Sequence, residues 1–280
     1  MSELCVIGGS RYFGRRMVEN LRDQGTAVTV INRGSAPAPE GVTHLVADRD
    51  DEEALRRAVA GRSFDAVVDQ ICYTPRQAAI AARVFEGRTA RYVMTSTIEV
   101  YAGLDGAPFT EGVVDLTPQG SPDESYGGAK RQAEAVLAAQ RDFGFASVRS
   151  GHVLGGADFT GRLEHYVRRI AEGLPVIVHE NPGPSSFIHE PEIARFLAWA
   201  ALADFTGPVN AASHGELDVR SLCAAIGEAR YATGEEVSPY SFEWAFTMDT
   251  SRATSLGFAF SQVGDWLPGV VEEVRACAAA

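Results

Sequence analysis

Tyr126 and Lys130 lie four residues apart in a helix-like stretch, so one turn carries both side chains on the same face. A phenol with a reference pKa of about 10 is a poor base at neutral pH. An ammonium one turn away favours the phenolate and draws the group towards working pH. A tuned phenol of this kind does general acid–base work at a carbonyl or alcohol oxygen, and the same lysine is able to hold ribose hydroxyls. A third group precedes the pair. Thr97 closes the apolar run 92–97, and a hydroxyl at the carboxyl end of a parallel strand points into the crevice where ligands sit. Thr97 is thus the candidate hydrogen-bond partner of a substrate oxygen.

A second constellation suits phosphate. Gly8-Gly9-Ser10-Arg11-Tyr12-Phe13-Gly14 follows an apolar strand and opens a helix. Such a turn presents backbone N–H groups and a helix N-terminus to an anion, and glycine permits close approach of a pyrophosphate. A carboxylate about 20 residues beyond would grip a ribose 2′-hydroxyl and repel a 2′-phosphate. This chain has Asn32-Arg33 there, and Arg11 stands where the usual spacing has glycine. Guanidinium groups match phosphate geometry, so the expectation is NADP, with NAD possible. Asp48-Arg49 is placed either to border an adenine or to cap the next helix.

The elements that position these residues alternate. Strands are expected at 4–7, 27–31, 44–47, 66–68, 91–95 and 145–148. Between them lie a helix over 12–22 closed by Gly25, one over 50–60 with a capping box from Asp50 to Glu53, and one opened by Thr74-Pro75. Ser121-Pro122-Asp123-Glu124 reads as the start of the helix bearing Tyr126. Strands without a wet face, alternating with helices, imply a Rossmann-type α/β fold: a doubly wound parallel sheet covered on both sides. The pattern loosens near residue 150. The expected organisation is a dinucleotide-binding domain over 1–150 and a smaller α/β substrate lobe over 151–280, interleaved with the first, with helices at 161–171, 190–203 and 218–229.

Composition excludes several classes. The 280 residues are 45% hydrophobic, enough for a large core. A net charge of −12 repels a nucleic acid backbone or an anionic membrane. No apolar run approaches the roughly 20 residues that span a bilayer, and residues 1–3 pass straight into a strand. Cys5, Cys72 and Cys223 sit in apolar runs and read as reduced, buried thiols, with Cys277 elsewhere. The expected protein is cytoplasmic, a monomer or homodimer, with a small-molecule substrate and neither nucleic acid nor membrane as partner. His152, His165, His179 and His189 lack ligand-like spacing, so no metal site is expected. Phe159 and Tyr166 are candidates to line the ligand cavity. Arg162, Arg168 and Arg169 either hold an anionic substrate or form a solvated helix face.

Taken together, the glycine loop, Thr97 followed by Val100-Tyr101, the YxxxK pair and Arg149 with Gly155 resemble the short-chain dehydrogenase/reductase superfamily. The likeness is to its extended and atypical branch, the NAD-dependent epimerase/dehydratase-like proteins. It covers about residues 4–156, and Phe187-Ile188-His189 is similar to the second-lobe bridge of that family. The resemblance implies Gly8, Gly9 and Gly14 as cofactor-loop residues, Thr97 as substrate-oxygen partner, Tyr126 as acid/base, and Lys130 as its tuner and ribose ligand. Ser150-Gly151 replaces the family's usual proline after Arg149, in a region that shapes the nicotinamide side. Sugar dehydratases carry an Asp-Glu pair after the threonine. Ile98 fills the first of those positions and Glu99 the second, so hydride transfer without net dehydration is expected. The leading reading is an NAD(P)-dependent oxidoreductase working on a carbonyl/alcohol carbon. The alternatives are a nucleotide-sugar epimerase with tightly bound NAD and a non-catalytic or RNA-associated relative.

Overall fold

The computed structural model describes residues 2–117 and 124–278. Its first half runs β1 (Glu3–Ile7), α1 (Tyr12–Asp23), β2 (Ala27–Asn32), β3 (Thr43–Val46), α2 (Glu52–Ala58), β4 (Phe64–Asp69), α3 (Pro75–Phe85), β5 (Thr89–Thr97), α4 (Tyr126–Ala139) and β6 (Gly144–Ser150). The second half continues with β7 (His152–Leu154), α5 (Arg162–Ala171), β8 (Val176–Ile177), β9 (Ser185–His189), α6 (Glu190–Leu202) and β10 (Gly207–Ala211). It ends with β11 (Glu216–Leu217), α7 (Val219–Ile226), β12 (Tyr231–Ala232), α8 (Ser251–Ser255) and α9 (Val263–Ala278).

Seven parallel strands form the main sheet in the order β3-β2-β1-β4-β5-β6-β10. Alternate residues face opposite layers, as a period of two requires. Leu4, Val6, Val30, Val68, Val93 and Val148 pack against α1 and α6 on one face. Cys5, Ile7, Ile31, Val67, Met94 and Phe145 pack against α2, α3 and α4 on the other. With apolar residues on both faces of every central strand, the sheet is stable only when sandwiched. Chain direction across the sheet reverses between β1 and β4, which are paired neighbours, Val6 opposite Val68. That reversal opens the crevice where ligands of such sheets bind.

Several boundaries differ from expectation for local reasons. Asp51, not Asp50, caps α2, its carboxylate accepting from the Ala54 N–H at 2.9 Å. The Asp50 carboxylate instead accepts from the Gln77 amide. Thr74 caps α3 as the sequence implies, accepting from Gln77 N–H, with Pro75 in the first turn. The Tyr126 helix opens at Tyr126 itself, with Ser125 accepting from Gly128 N–H at 3.1 Å. The start expected at Ser121-Pro122-Asp123 falls outside the described residues.

The seventh strand, β10, pairs with β6 (Val209 opposite Val148) and comes from beyond residue 150. α6 likewise covers the main sheet. The rest of the second half forms a three-stranded sheet, β11-β9-β7, and the β12-β8 pair. They share a separate core with α5, α7 and α9, built on Leu163, Tyr166, Phe187, Leu222, Trp266 and Val270.

Candidate functional site

The glycine loop stands at the end of β1, on the carboxyl edge of the sheet. Gly8 and Gly9 take φ of +94° and +73°, open to glycine at little cost. A Cβ on Gly9 would lie 2.7 Å from Val6 Cγ1 and 2.9 Å from Val18 Cγ2, so α1 packs this tightly on β1 only over a glycine. Tyr12 also takes a positive φ, +52°, which costs a tyrosine energy. Its hydroxyl donates to the Val153 carbonyl at 3.3 Å, and its ring meets Phe159 edge-on, so this loop residue ties the loop to the second lobe. Phe13 packs into the core face of α1.

At the end of β2, Asn32 donates to Ser10 Oγ at 2.7 Å and accepts from Gly34 N–H at 2.6 Å, stitching the turn after β2 to the glycine loop. Arg11 and Arg33 are both exposed. Asp48 is exposed and accepts from Asp50 N–H. Arg49 differs from expectation: it is 3% exposed and its guanidinium is committed to Asp69 at 2.6 Å, with the Tyr92 hydroxyl donating to the same carboxylate oxygen. A buried arginine takes its nearest buried carboxylate, which leaves no free face for an adenine. These residues fit a dinucleotide: a glycine turn with positive φ at Gly8 and Gly9 on the carboxyl edge of the sheet, and exposed guanidinium groups on Arg11 in that turn and Arg33 after β2.

Thr97 ends β5, and its Oγ1 accepts from Glu99 N–H at 3.2 Å at the head of the 3₁₀ turn Ile98–Tyr101. The Thr97 hydroxyl stands beside the Tyr126 phenol, close enough to lower its pKa. What brings them together is Gly127. A Cβ there would lie 2.0 Å from the Glu99 carbonyl oxygen, so the first turn of α4 rests directly on the turn after β5. The Gly127-Gly128 pair is the sequence signal of that contact.

Tyr126 is 52% exposed, yet desolvation by the atoms packed around it pushes its phenol up to about 12. Tyr73 and Glu99 push in the same direction, and the neighbouring Thr97 hydroxyl and Arg162 charge only partly offset them. This corrects the expected lysine tuning. Lys130 is 2% exposed, donates to the Thr95 carbonyl at 2.8 Å, and lies 5.9 Å from the centre of the Tyr126 ring. Burial draws Lys130 down to about 8, and its charge is not what sets the phenol. Lys130 is also the one lysine of the chain; every other basic side chain except histidine is arginine.

Behind the pair runs a buried polar chain that sequence reasoning missed. Glu134, one turn beyond Lys130, holds Arg149 in a fully buried ion pair at 2.7 Å and accepts from Ser96 Oγ at 2.5 Å. Arg149 also donates to the Tyr101 hydroxyl, which donates to Asn210 Oδ1. α4, β5, β6 and β10 are thereby locked to one another directly under Thr97 and Tyr126.

Across the cleft, the three arginines of α5 separate. Arg169 bonds the Pro175 carbonyl and Arg168 is exposed. Arg162 lies over the Tyr240 ring, and its charge lowers the pKa of both Glu99 and Tyr126. Glu99 is half-buried rather than solvated, and burial raises its carboxyl. Phe159 is exposed beside Tyr12, whereas Tyr166 is wholly buried in the second core and does not line the cleft. Cys5, Cys72 and Cys223 are buried free thiols. Among the described residues, no group of three or more His, Cys, Asp or Glu is arranged to hold a metal, and no helix is long and apolar enough to cross a membrane.

A parallel sheet of this strand order, with a glycine loop after β1 and a Tyr–Lys helix beside β5, defines a nicotinamide-dinucleotide enzyme class. The chain belongs to the NAD dependent epimerase/dehydratase family, whose model matches residues 4–211. It is 29% identical over 271 residues to a 2′-dehydrokanamycin reductase of Streptomyces kanamyceticus, spanning 89% of this chain and 74% of that one. It is 23% identical over 194 residues to the chloroplast stem-loop binding protein of 41 kDa b of Arabidopsis thaliana, spanning 63% of this chain and 48% of that protein. The Bordetella bronchiseptica enzyme WbmH, solved with NAD+, superposes with a TM-score of 0.76 at 18% identity, over 98% of this chain and 99% of its own. The chain is an NAD(P)-dependent enzyme of this family.

Proposed function

We propose that this protein is an NADP(H)-preferring oxidoreductase acting on a carbonyl/alcohol carbon of a small molecule, with Tyr126 as its acid/base. The observation that carries the reading is the juxtaposition of Thr97, Tyr126 and Lys130, the ammonium 5.9 Å from the Tyr126 ring centre, on the same sheet edge as the glycine loop. Residues 1–150 carry the dinucleotide on the backbone from Gly8 to Gly14, and residues 151–280 supply most of the substrate lobe. The enzyme acts in the cytoplasm, as a monomer or homodimer. A bound nicotinamide supplies the two-electron acceptor or donor. The chain's own residues handle the proton.

Thr97 fixes the substrate oxygen. With its pKa pushed up to about 12, the Tyr126 phenol is protonated at neutral pH, the form that donates to a carbonyl oxygen being reduced. Lys130 carries its charge below about pH 8 and is placed to hold ribose hydroxyls.

Arg33, with Arg11, is assigned to a 2′-phosphate, since Asn32 brings no carboxylate. Arg33→Ala is expected to weaken NADPH on the order of tenfold while leaving NADH within about twofold. Fluorescence titration of both cofactors checks it, and equal wild-type affinities for the two would remove the NADP preference.

Solved structures of related fold include UDP-sugar 4-epimerases, which keeps epimerisation as the second reading. Heat-denatured protein releasing stoichiometric NAD favours epimerisation, where cofactor is regenerated in each cycle. Protein that is empty and binds NADPH reversibly favours the reductase. Neither reaction eliminates water, because the sec-butyl group of Ile98 cannot protonate a leaving hydroxyl. Products examined by mass spectrometry should keep all their oxygen, and Glu99→Gln should retain activity within about tenfold. Loss of one water from a hydroxylated substrate would contradict this.

A further inference from the structure

Lys130 is an ammonium buried almost completely, and its surroundings account for only part of what such a group needs. One of its three N–H donors goes to the Thr95 carbonyl. Two carboxylates stand near it, Asp69 at the end of β4 and Glu134 on its own helix. Both are already spent: Asp69 takes Arg49 and Tyr92, and Glu134 takes Arg149 and Ser96. Cys72 and the Arg49 guanidinium are the other ionisable groups facing it, and neither offers a counter-charge at neutral pH. What covers the ammonium is aromatic. Its Nζ lies 4.6 Å from the centre of the Tyr73 ring, closer than the 5.9 Å to Tyr126. Tyr73 is held there by its own loop: its N–H donates to Gln77 Oε1 at 2.6 Å, and the next residue caps α3. The two tyrosine ring centres stand 6.5 Å apart, so both rings lie on the same side of the charge.

We propose that Tyr73 is a positioning residue for Lys130, its ring face replacing water over the ammonium and holding that charge between Thr95 and Tyr126. The proposal rests on the reading of Lys130 as the ribose ligand of the cofactor. It also accounts for the one lysine of an arginine-rich chain standing at this position. A compact ammonium fits against two adjacent rings and one carbonyl, whereas a planar guanidinium would leave most of its five N–H donors unmatched. The ring face, not the hydroxyl, does the work.

A single lysine makes the test direct. Protein grown with lysine labelled with ¹³C at Cε gives one side-chain resonance, whose pH titration reports Lys130 without assignment. Wild type is expected to titrate near 8. Tyr73→Phe keeps the ring and should titrate within about 0.3 of it. Tyr73→Leu keeps a dry cover without a π face, so the charged form is disfavoured and the midpoint falls by roughly half a unit or more. Tyr73→Ala admits water, and the midpoint rises by about one unit. NADPH affinity at pH 7 should follow the same division, unchanged for Phe and reduced roughly 5–20-fold for Leu and Ala. Four coincident titrations would overturn the proposal, as would Tyr73→Phe behaving like Tyr73→Ala. Wild type that binds neither NADPH nor NADH would instead sink the functional reading, with the titrations still judging Tyr73.

Discussion

Tyr126→Phe is expected to lose about 10²-fold or more in turnover while keeping its fold and its cofactor affinity. The substitution removes one oxygen from a side chain that is 52% exposed, and the neighbouring Thr97 hydroxyl keeps its bond from Glu99 N–H, so no buried polar group is left unmatched. Packing under α4 is untouched, since Gly127 and the Glu99 carbonyl make the close contact rather than the phenol. The loss should appear in kcat, with the dissociation constant of NADPH within about twofold of wild type. The pH profile gives an independent check. A phenol raised to about 12 stays protonated through the neutral range, so reductive activity should hold steady from pH 6 to 8. As Lys130 discharges near pH 8, binding of an anionic cofactor should weaken on the alkaline side. Near-wild-type turnover by Tyr126→Phe on a true substrate would remove Tyr126 from the chemistry.

The other large effect is on stability. Glu134→Leu leaves the Arg149 guanidinium buried without its carboxylate, and both side chains are wholly inaccessible in the native protein. Removing one partner of such a pair costs about 3–5 kcal/mol, and in a chain of this length that lowers Tm by roughly 6–12 °C. Replacing both, Glu134→Leu with Arg149→Met, removes the stranded charge and should recover more than half of the loss. Calorimetry of the two variants side by side measures it. A double variant no more stable than the single would mean that the Arg149 bonds to Tyr101 and the Glu111 carbonyl outweigh the ion pair.

Much of the frame was legible because its signals are local. Alternating apolar runs specify a sheet buried on both faces, Thr74-Pro75 specifies the start of α3, and Gly25 at φ +84° ends α1. The loop from Gly8 to Gly14 and the spacing of Tyr126 and Lys130 were also readable, since a turn and a helix face depend on neighbours in sequence. The Ser125 cap of α4 was not, nor the seat of its first turn, where Gly127 rests against the Glu99 carbonyl of a distant segment.

Sequence by itself therefore determined the class of fold, the family and the residue types available to the site. Tertiary structure decided what those residues do to one another. Arg49 looked free for a ligand and is consumed by Asp69, which lies twenty residues away in sequence and 2.6 Å away in space. Lys130 looked like the tuner of Tyr126, but helical spacing fixes only a shared face. The direction of its ammonium is set by the Thr95 carbonyl on another strand and by the Tyr73 ring on another loop. Tyr166 looked like a ligand contact and is core, because α9 covers it from the far end of the chain. Burial and charge pairing are sums over neighbours that the fold brings together from distant segments, and no local pattern carries that sum.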